Sequence, residues 1–301
     1  MRPEATIVFT THNRCDILGQ AIAAAQNQSV PIKILVMDDA SSDGTEAMVR
    51  QKFPEVDYYR SSANKGPCFH RNEGIKLATT EVVFPLDDDS ILQSPYTIEQ
   101  TLAEFSDRRI GAVAIPYSNI LQDDIVHTKA PDKDQIYVTH AFVAASHAIL
   151  KSAFLRVGGY REFFFYMGEE GDLCIRLLES KLATRLGCAD PIHHLQPPGR
   201  ISVRADEYGR QNDVLFYYLN APDSHLLPTV MGTVINGLIY GLKVKRPGNM
   251  LRGMGRGFRM MKTESKHRLP VSPECFNLYR TLKKSECVPL RNIESYFSDS
   301  L

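Results

Sequence analysis

The chain has 301 residues, 43% of them apolar, and its 35 Lys plus Arg balance 35 Asp plus Glu. That length and apolar content can fill one large core with an appendage, which excludes a mainly disordered chain, and the zero net charge disfavours a nucleic-acid binder. Six cysteines without a CxxC pair or a tight cluster exclude a disulfide framework and point to a reducing compartment.

In chain order, the apolar run at 5–9 follows Glu4 and leads into Thr-Thr-His-Asn-Arg, which reads as a first strand and not as a signal peptide. Up to residue 115, short β-branched runs alternate with segments of helical period. This is the pattern of repeated βα units: an α/β fold with a mostly parallel sheet flanked by helices. Strands are predicted at 5–10, 32–38, 56–60, 82–86 and 110–115, and helices at 17–28, 45–52, 69–78 and 96–105. Ser94-Pro95 supplies an N-cap with a first-turn proline, and Asp43-Gly44-Thr45-Glu46 has capping-box spacing. Polar residues therefore gather at the carboxyl ends of strands, where open α/β sheets bind their ligands.

Beyond residue 115 the regularity fades. Residues 119–135 read as a polar loop, a strand is expected near 138–144, and a helix at 152–157 ends at Gly158-Gly159. The aromatic run 163–166 reads first as core, with a wall on which an acceptor stacks as the alternative. Gly168-Glu169-Glu170-Gly171-Asp172 then starts a helix, whose first-turn acids suit its dipole. Two prolines after His193 and His194 open a loop before a helical pattern resumes at 208–219.

The apolar stretch 226–242 is interrupted by Pro228, Gly232, Asn236, Gly237 and Gly241 and falls short of the roughly 20 residues that span a bilayer, so no membrane-crossing helix is expected. Charge is segregated: residues 1–242 have a net charge of −8, whereas 243–268 hold nine basic residues and one acidic. These cations alternate with Leu251, Phe258 and several methionines, a mix suited to peripheral contact with an anionic membrane. The alternative is a solvated tail, its helix weakened by Gly248, Gly253, Gly255 and Gly257. No aromatic stacking platform accompanies the cations, so no nucleic acid is expected there. The chain is divided into 1–115, 116–225 and a mainly helical, basic extension at 226–301.

Three carboxylates, Asp87, Asp88 and Asp89, directly follow the apolar run 82–84. Their mutual repulsion is relieved either by solvent, in a helix-capping turn, or by a divalent cation; hard oxygen ligands suit Mg or Mn, which could bridge a diphosphate. Asp38-Asp39 ends the second strand before Ala-Ser-Ser-Asp-Gly-Thr, a loop that turn chemistry alone explains or that wraps a ligand. Lys65, His70 and Arg71 put cations on the next loop and helix start, either as surface charges or as phosphate contacts.

Taken together these segments resemble the family 2 glycosyltransferases, whose nucleotide-binding half runs TxxNR, DDxSxDGT, NxGxxxxRNxGI and LDxD. Here the chain reads Thr-Thr-His-Asn-Arg, Asp-Asp-Ala-Ser-Ser-Asp-Gly-Thr, Asn-Lys-Gly-Pro-Cys-Phe-His-Arg-Asn-Glu-Gly-Ile and Leu-Asp-Asp-Asp, in that order and spacing. The likeness covers about residues 5–220 and continues through Gly-Glu-Glu-Gly-Asp-Leu, with bacterial surface-polysaccharide enzymes, rhamnosyltransferase-like among them, as its nearest flavour.

The resemblance implies a Rossmann-like GT-A fold, a nucleotide-sugar donor and a divalent metal, Mn or Mg. It puts Asp39 near the base, Arg71 near the nucleotide, Asp87 near the ribose with Asp88 beside it, and Thr10 and Asn13 in the same pocket. Asp89 would hold the metal, and either His193 or His194 would complete the metal or diphosphate site. In the family's EDxDL motif the second acid is the general base; here that position is Glu170 in place of Asp, with Glu169 and Asp172 as alternatives. An inverting transfer needs one base near the acceptor hydroxyl and a cation on the departing diphosphate, with no protonating acid.

The expected reaction is thus inverting transfer from a UDP- or dTDP-linked sugar to a carbohydrate or lipid-linked glycan, by a cytoplasmic enzyme at the inner membrane face. The rival readings are a sugar-phosphate nucleotidyltransferase and a non-catalytic nucleotide-sugar binding module; the Glu-for-Asp departure favours the latter.

Overall fold

In the computed structural model, which describes residues 4–197 and 203–300, the run Ala-Thr-Ile-Val-Phe-Thr-Thr is buried along its whole length as the central strand of the main sheet. A strand covered on both faces needs no polar alternation, which is why the run reads as continuous apolar and β-branched sequence. The first half comprises β1 (Ala5–Thr11), α1 (Cys15–Gln26), β2 (Ile32–Asp38), α2 (Thr45–Lys52), β3 (Asp57–Arg60), α3 (Pro67–Leu77), β4 (Val82–Asp87), β5 (Ser90–Ile91), α4 (Thr97–Ala103) and β6 (Ile110–Ala114). Then come β7 (Tyr117–Ser118), β8 (Val126–His127), β9 (Tyr137–Thr139), β10 (His147–Leu150), α5 (Lys151–Arg156), α6 (Glu169–Glu179), β11 (Ala183–Leu186) and β12 (Ile192–His194). The described chain finishes with α7 (Val203–Asn220), α8 (Asp223–Lys243), α9 (Pro247–Thr263), α10 (Pro273–Ser285), β13 (Cys287–Pro289) and 3-10 turns.

Nine strands form one sheet in the order β13-β9-β11-β6-β10-β4-β1-β2-β3. Strands β3, β2, β1 and β4 are mutually parallel, in register through Thr10↔Met37 and Thr10↔Asp87, so the polar ends of three strands lie side by side. The second half of the sheet is mixed: β10 runs antiparallel between β4 and β6, and β9 and β13 are antiparallel at the far edge. A smaller sheet, β5-β12-β7-β8, brings His193 and His194 beside the turn after β4. Helix α3 lies so close to β1 that a Cβ on Gly74 would sit 2.2 Å from a Val8 methyl, which is why the motif needs glycine there.

Several elements differ from the sequence reading. The strand expected near 138–144 is the short β9, and β10 was not anticipated at all. Tyr96, not Ser94, stands at the N-cap of α4, although Ser94 Oγ accepts from the Tyr96 N–H at 3.2 Å. Asp43 accepts from Thr45 N and Oγ1 at 3.2 and 2.6 Å, but Glu46 pairs with Arg50, so no capping box closes.

The glycines of α9 do not loosen it. Gly253 and Gly257 are buried where α9 crosses α7, and a Cβ on Gly253 would lie 2.4 Å from the Glu207 carbonyl oxygen. The extension is no separate tail either: β13 adds an edge strand, and Cys275, Phe276, Leu282 and Phe297 are fully buried in the main core. At 223–243 the interruptions seen in the sequence are absorbed into one continuous 21-residue helix, long and apolar enough to cross a membrane by length and composition, with Pro228 in its first turns.

Candidate active site

The carboxyl ends of β1, β2 and β4 open into a cleft of about 520 Å³, lined by Thr10, Asp39, Arg71, Asp87, Asp88, Asp89, Glu169, Glu170 and His194, among others. Parallel strands point their carboxyl ends one way, so carboxylates far apart in sequence share one rim.

On the β2 side, Asp39 is buried; it accepts backbone N–H bonds from Lys65 at 2.6 Å and Gly66 at 2.9 Å, and His70 Nε2 donates to it at 2.9 Å. It therefore pins the loop before α3 while still lining the cleft. Gly66, at φ +84°, makes that turn possible. Asp38, fully buried, accepts from Ser41 N at 2.7 Å and from the Tyr58 hydroxyl. Asn13 bridges two loops, accepting from Ser42 N at 2.7 Å while its own N–H donates to Ser41 Oγ, and it lies beside the cleft, not among its lining residues.

At the end of β4 the three aspartates diverge. Asp87 accepts from Arg71 Nη2 at 2.5 Å. Asp88 accepts from Thr11 Oγ1 at 2.8 Å and from Arg14 Nη1 at 2.7 Å; burial nevertheless pushes it up to about 7, against the pull of Arg14. Asp89 takes a second contact from Arg14 at 2.9 Å and lies 3.4 Å from His194 Nε2. Burial would raise Asp89, but His194 and Arg14 outweigh it and hold it at about 2. His194 is oriented from behind by Asn119, 3.0 Å from its Nδ1. His193, the next residue along the strand, does not line the cleft; alternation along β12 lets only one of the pair do so.

The opposite wall comes from the start of α6. Glu169 is buried and accepts from Arg71 Nη1 at 3.0 Å, so one guanidinium ties β4 to α6. Burial alone would lower Arg71, but Asp87 and Glu169 hold it well above the ordinary arginine value. Glu170 is half-buried against the cleft and makes no hydrogen bond to a side chain among the described residues. Burial, and then the Glu169 charge, push it up to about 8. Asp172 is elsewhere: fully buried, it is clasped by Arg161 at 2.6 Å, Arg176 at 2.7 Å and Asn220 at 2.8 Å, and does not line the cleft.

The structure adds residues that the sequence reading did not assign, and it divides the aromatic run between that reading's two alternatives. Arg14 and Thr11 belong to the quoted first-strand motif, yet nothing in the sequence pairs them with carboxylates 74 to 77 positions away. Phe165 and Tyr166 line the cleft, and only Phe164 of that run is fully buried, so the aromatic run is split between core and site. Arg204 stacks over Phe165, Tyr166 and Tyr208 at 5.0 to 5.8 Å and closes the rim. It lies ahead of the helical pattern read at 208–219, where nothing in the sequence signals it.

Among the described residues no three His, Cys, Asp or Glu side chains are gathered closely enough to hold a metal by themselves. The donor chemistry still fits a hard cation. Asp89 Oδ1 is buried without a hydrogen-bond partner beside the His194 imidazole, and an ion so held would take its other positions from water and phosphate oxygens.

The model of the family described as glycosyl transferase family 2 matches residues 6–160, half of the chain. The GalNAc(5)-diNAcBac-PP-undecaprenol beta-1,3-glucosyltransferase of Campylobacter jejuni is 28% identical over 191 residues, 60% of this chain and 61% of that protein. The match thus spans less than two thirds of that relative's length. Among solved structures, mannosyltransferase PcManGT from Pyrobaculum calidifontis, in complex with GDP-Man and Mn2+, superposes with a TM-score of 0.62 at 17% identity, over 86% of this chain and 88% of that one. S. aureus TarS 1-349 in complex with UDP-GlcNAc gives 0.59 at 15% identity, over 84% and 80%. At these identities the likeness to solved structures shows a shared fold.

Proposed function

Since the chain belongs to glycosyl transferase family 2 and has the GT-A fold, we propose that it transfers a sugar, with inversion, from a UDP- or dTDP-linked donor to a carbohydrate or lipid-linked glycan. The observation that carries this reading is Glu170: a carboxylate raised to about 8, unpaired by any side-chain hydrogen bond, facing the cleft that Asp87, Asp88 and Asp89 border. A base must stand near the operating pH and within reach of the hydroxyl it deprotonates. Glu170 accepts the acceptor proton, the acceptor oxygen bonds to the anomeric carbon, and the bond to the diphosphate breaks with its electron pair on the departing oxygen.

Arg71 holds Glu169 and Asp87 in place, and the Glu169 carboxylate so placed raises Glu170, making its ionised form a stronger proton acceptor. Thr10, Asp39 and the loop at 64–66 border the nucleotide side of the cleft, with Asn13 bracing that loop region from outside. Asp89 and His194 would hold a Mn or Mg ion, which supplies charge neutralisation for the leaving diphosphate. The name of the Campylobacter relative specifies an undecaprenol-linked glycan, which supports a lipid-linked acceptor here, met at the inner face of the membrane.

The test is a panel of nucleotide sugars with and without Mn, read first by thermal shift and then by product. A ligand selective for the folded state raises the melting temperature. Release of a nucleoside diphosphate supports sugar transfer. Pyrophosphate would make the protein a nucleotidyltransferase, and binding without turnover would leave a binding module.

A further inference from the structure

Helix α8 turns one face inward: Val230, Thr233, Gly237 and Gly241 are buried, spaced three and four apart. A Cβ on Gly241 would lie 2.8 Å from Met250 of α9, so the two helices are in close contact along that face. The opposite face is apolar and uncovered. Leu227, Met231, Ile235, Ile239 and Leu242 follow one another at helical spacing, each 50 to 72% exposed. A soluble chain rarely leaves so long an apolar stripe in water.

Charge accompanies the stripe. From Ser224 to Thr263 there are seven Lys and Arg and no Asp or Glu. Lys243 and Lys245 follow the stripe directly, while Arg259 and Lys262 stand beside the exposed Phe258 of α9; all four are exposed and in no ion pair among the described residues. Arg252 and Arg256, by contrast, hold Glu207 of α7 at 2.6 and 2.8 Å and so fasten α9 to the main body.

We infer that the outer face of α8, with the cations of the α8–α9 turn and of α9, is a docking surface for an anionic lipid bilayer, on which α8 lies in the plane of the interface. Its 21 residues, about 31 Å, could reach across a bilayer, but the helix cannot leave its partners. Its inner face is committed to the protein, and a span would draw the polar, Glu207-paired α9 into hydrocarbon. In-plane insertion buries only the stripe and leaves the cations at headgroup level. Because α9 packs on α7, and α7 carries Arg204 at the cleft rim, stacked on Tyr208, docking holds the cleft at a fixed distance from the lipid surface. The inference goes beyond the transfer reaction and does not depend on it.

The test is co-sedimentation of the full chain with vesicles containing about 30% phosphatidylglycerol, compared with pure phosphatidylcholine. Expected is binding to the anionic vesicles that falls about five-fold for each cation removed in Arg259→Gln and Lys262→Gln. Ile235→Glu with Ile239→Glu, at exposed positions, should lower binding on the order of 100-fold while the melting temperature stays unchanged. Wild-type protein that ignores anionic vesicles overturns the proposal, as does binding that survives both pairs of substitutions. Binding that resists high salt and alkaline carbonate would make α8 a membrane span. A dimer that Ile235→Glu with Ile239→Glu separates would make the face a contact between copies. A failure of transfer activity leaves this readout untouched.

Discussion

Replacing Glu170 by Gln keeps the shape of the side chain and removes its ionisation, so it separates the proposed base from everything else in the cleft. Loss of a general base costs roughly 10²–10⁴-fold in rate, and the variant should lose transfer to that extent while still binding donor. Stability moves the other way. The folded Glu170 releases its proton at about 8 against an ordinary 4.5, because burial and Glu169 disfavour the carboxylate. Between those values the unfolded chain is ionised first and binds fewer protons than the folded one, so wild-type stability falls as pH rises.

At about 1.4 kcal/mol per pH unit the full interval is worth about 5 kcal/mol, and partial exposure to the cleft reduces this to about 2 kcal/mol. Glu170→Gln does not titrate, so its melting temperature should overtake that of wild type by about 4 °C near pH 8 and converge with it near pH 5. Wild-type kcat/KM should rise with pH toward 8, and Glu170→Asp should keep a titrating limb that Gln abolishes. Near wild-type transfer by Glu170→Gln would refute the assignment, and equal pH dependence of melting in the two proteins would refute the burial argument beneath it.

Asp89→Asn should weaken Mn-dependent donor binding by an order of magnitude or more, since it removes the carboxylate beside His194; an unchanged Mn titration in the thermal-shift assay would dismiss Asp89 as a ligand. Asp172→Asn takes the buried carboxylate from Arg161 and Arg176 and should cost about 3–5 kcal/mol in denaturant unfolding, yet leave donor affinity intact in protein that remains folded. Burial opposes ionisation of Asp172, but Arg176 and Arg161 outweigh it and hold its pKa down, so wild type should lose this contribution only as pH falls below the ordinary 3.8. Gly74→Ala puts a Cβ 2.2 Å from Val8 and should cost about 3 kcal/mol, whereas Gly158→Ala meets nothing within 4 Å and pays only for its φ of +81°, about 1 kcal/mol; equal losses in urea unfolding would contradict the packing argument.

Sequence showed most where local rules coincide with tertiary ones. Strands β1, β2 and β4 are continuous apolar runs because both faces are covered, and their polar ends mark the cleft rim without any knowledge of partners. It showed least where a residue's meaning depends on a distant neighbour. Strand β10, four residues inserted antiparallel between two others, has no period to detect. His193 and His194 are equivalent as letters, and only the pairing of β12 with β5 and β7 decides which of them meets Asp89. The glycines of α9 lower helix propensity in isolation; against α7 they are what allows the backbones to touch. Glu169, Glu170 and Asp172 look like three versions of one helix-start acid, yet they part into a tie to Arg71, a cleft carboxylate met by backbone N–H groups and by no side chain, and a buried clasp.

That divergence bears on how the rim is balanced. Asp87, Asp88, Asp89 and Glu169 are met by two guanidiniums, Arg71 and Arg14, each shared between two carboxylates. The balance is incomplete: Asp88 is pushed toward protonation at about 7, and Asp89 keeps an oxygen without a hydrogen-bond partner. A further cation at this edge would relieve both, lowering Asp88 and engaging the free oxygen of Asp89. Arg14 is the group it must coexist with or displace. Because Arg14 is partly exposed while Arg71 is sealed in, the more accessible member of the pair lies on the Asp88–Asp89 side and the enclosed one beside Glu170. On the proposed reading, the cleft is therefore open to a further cation where a diphosphate would arrive and enclosed where a proton would be taken.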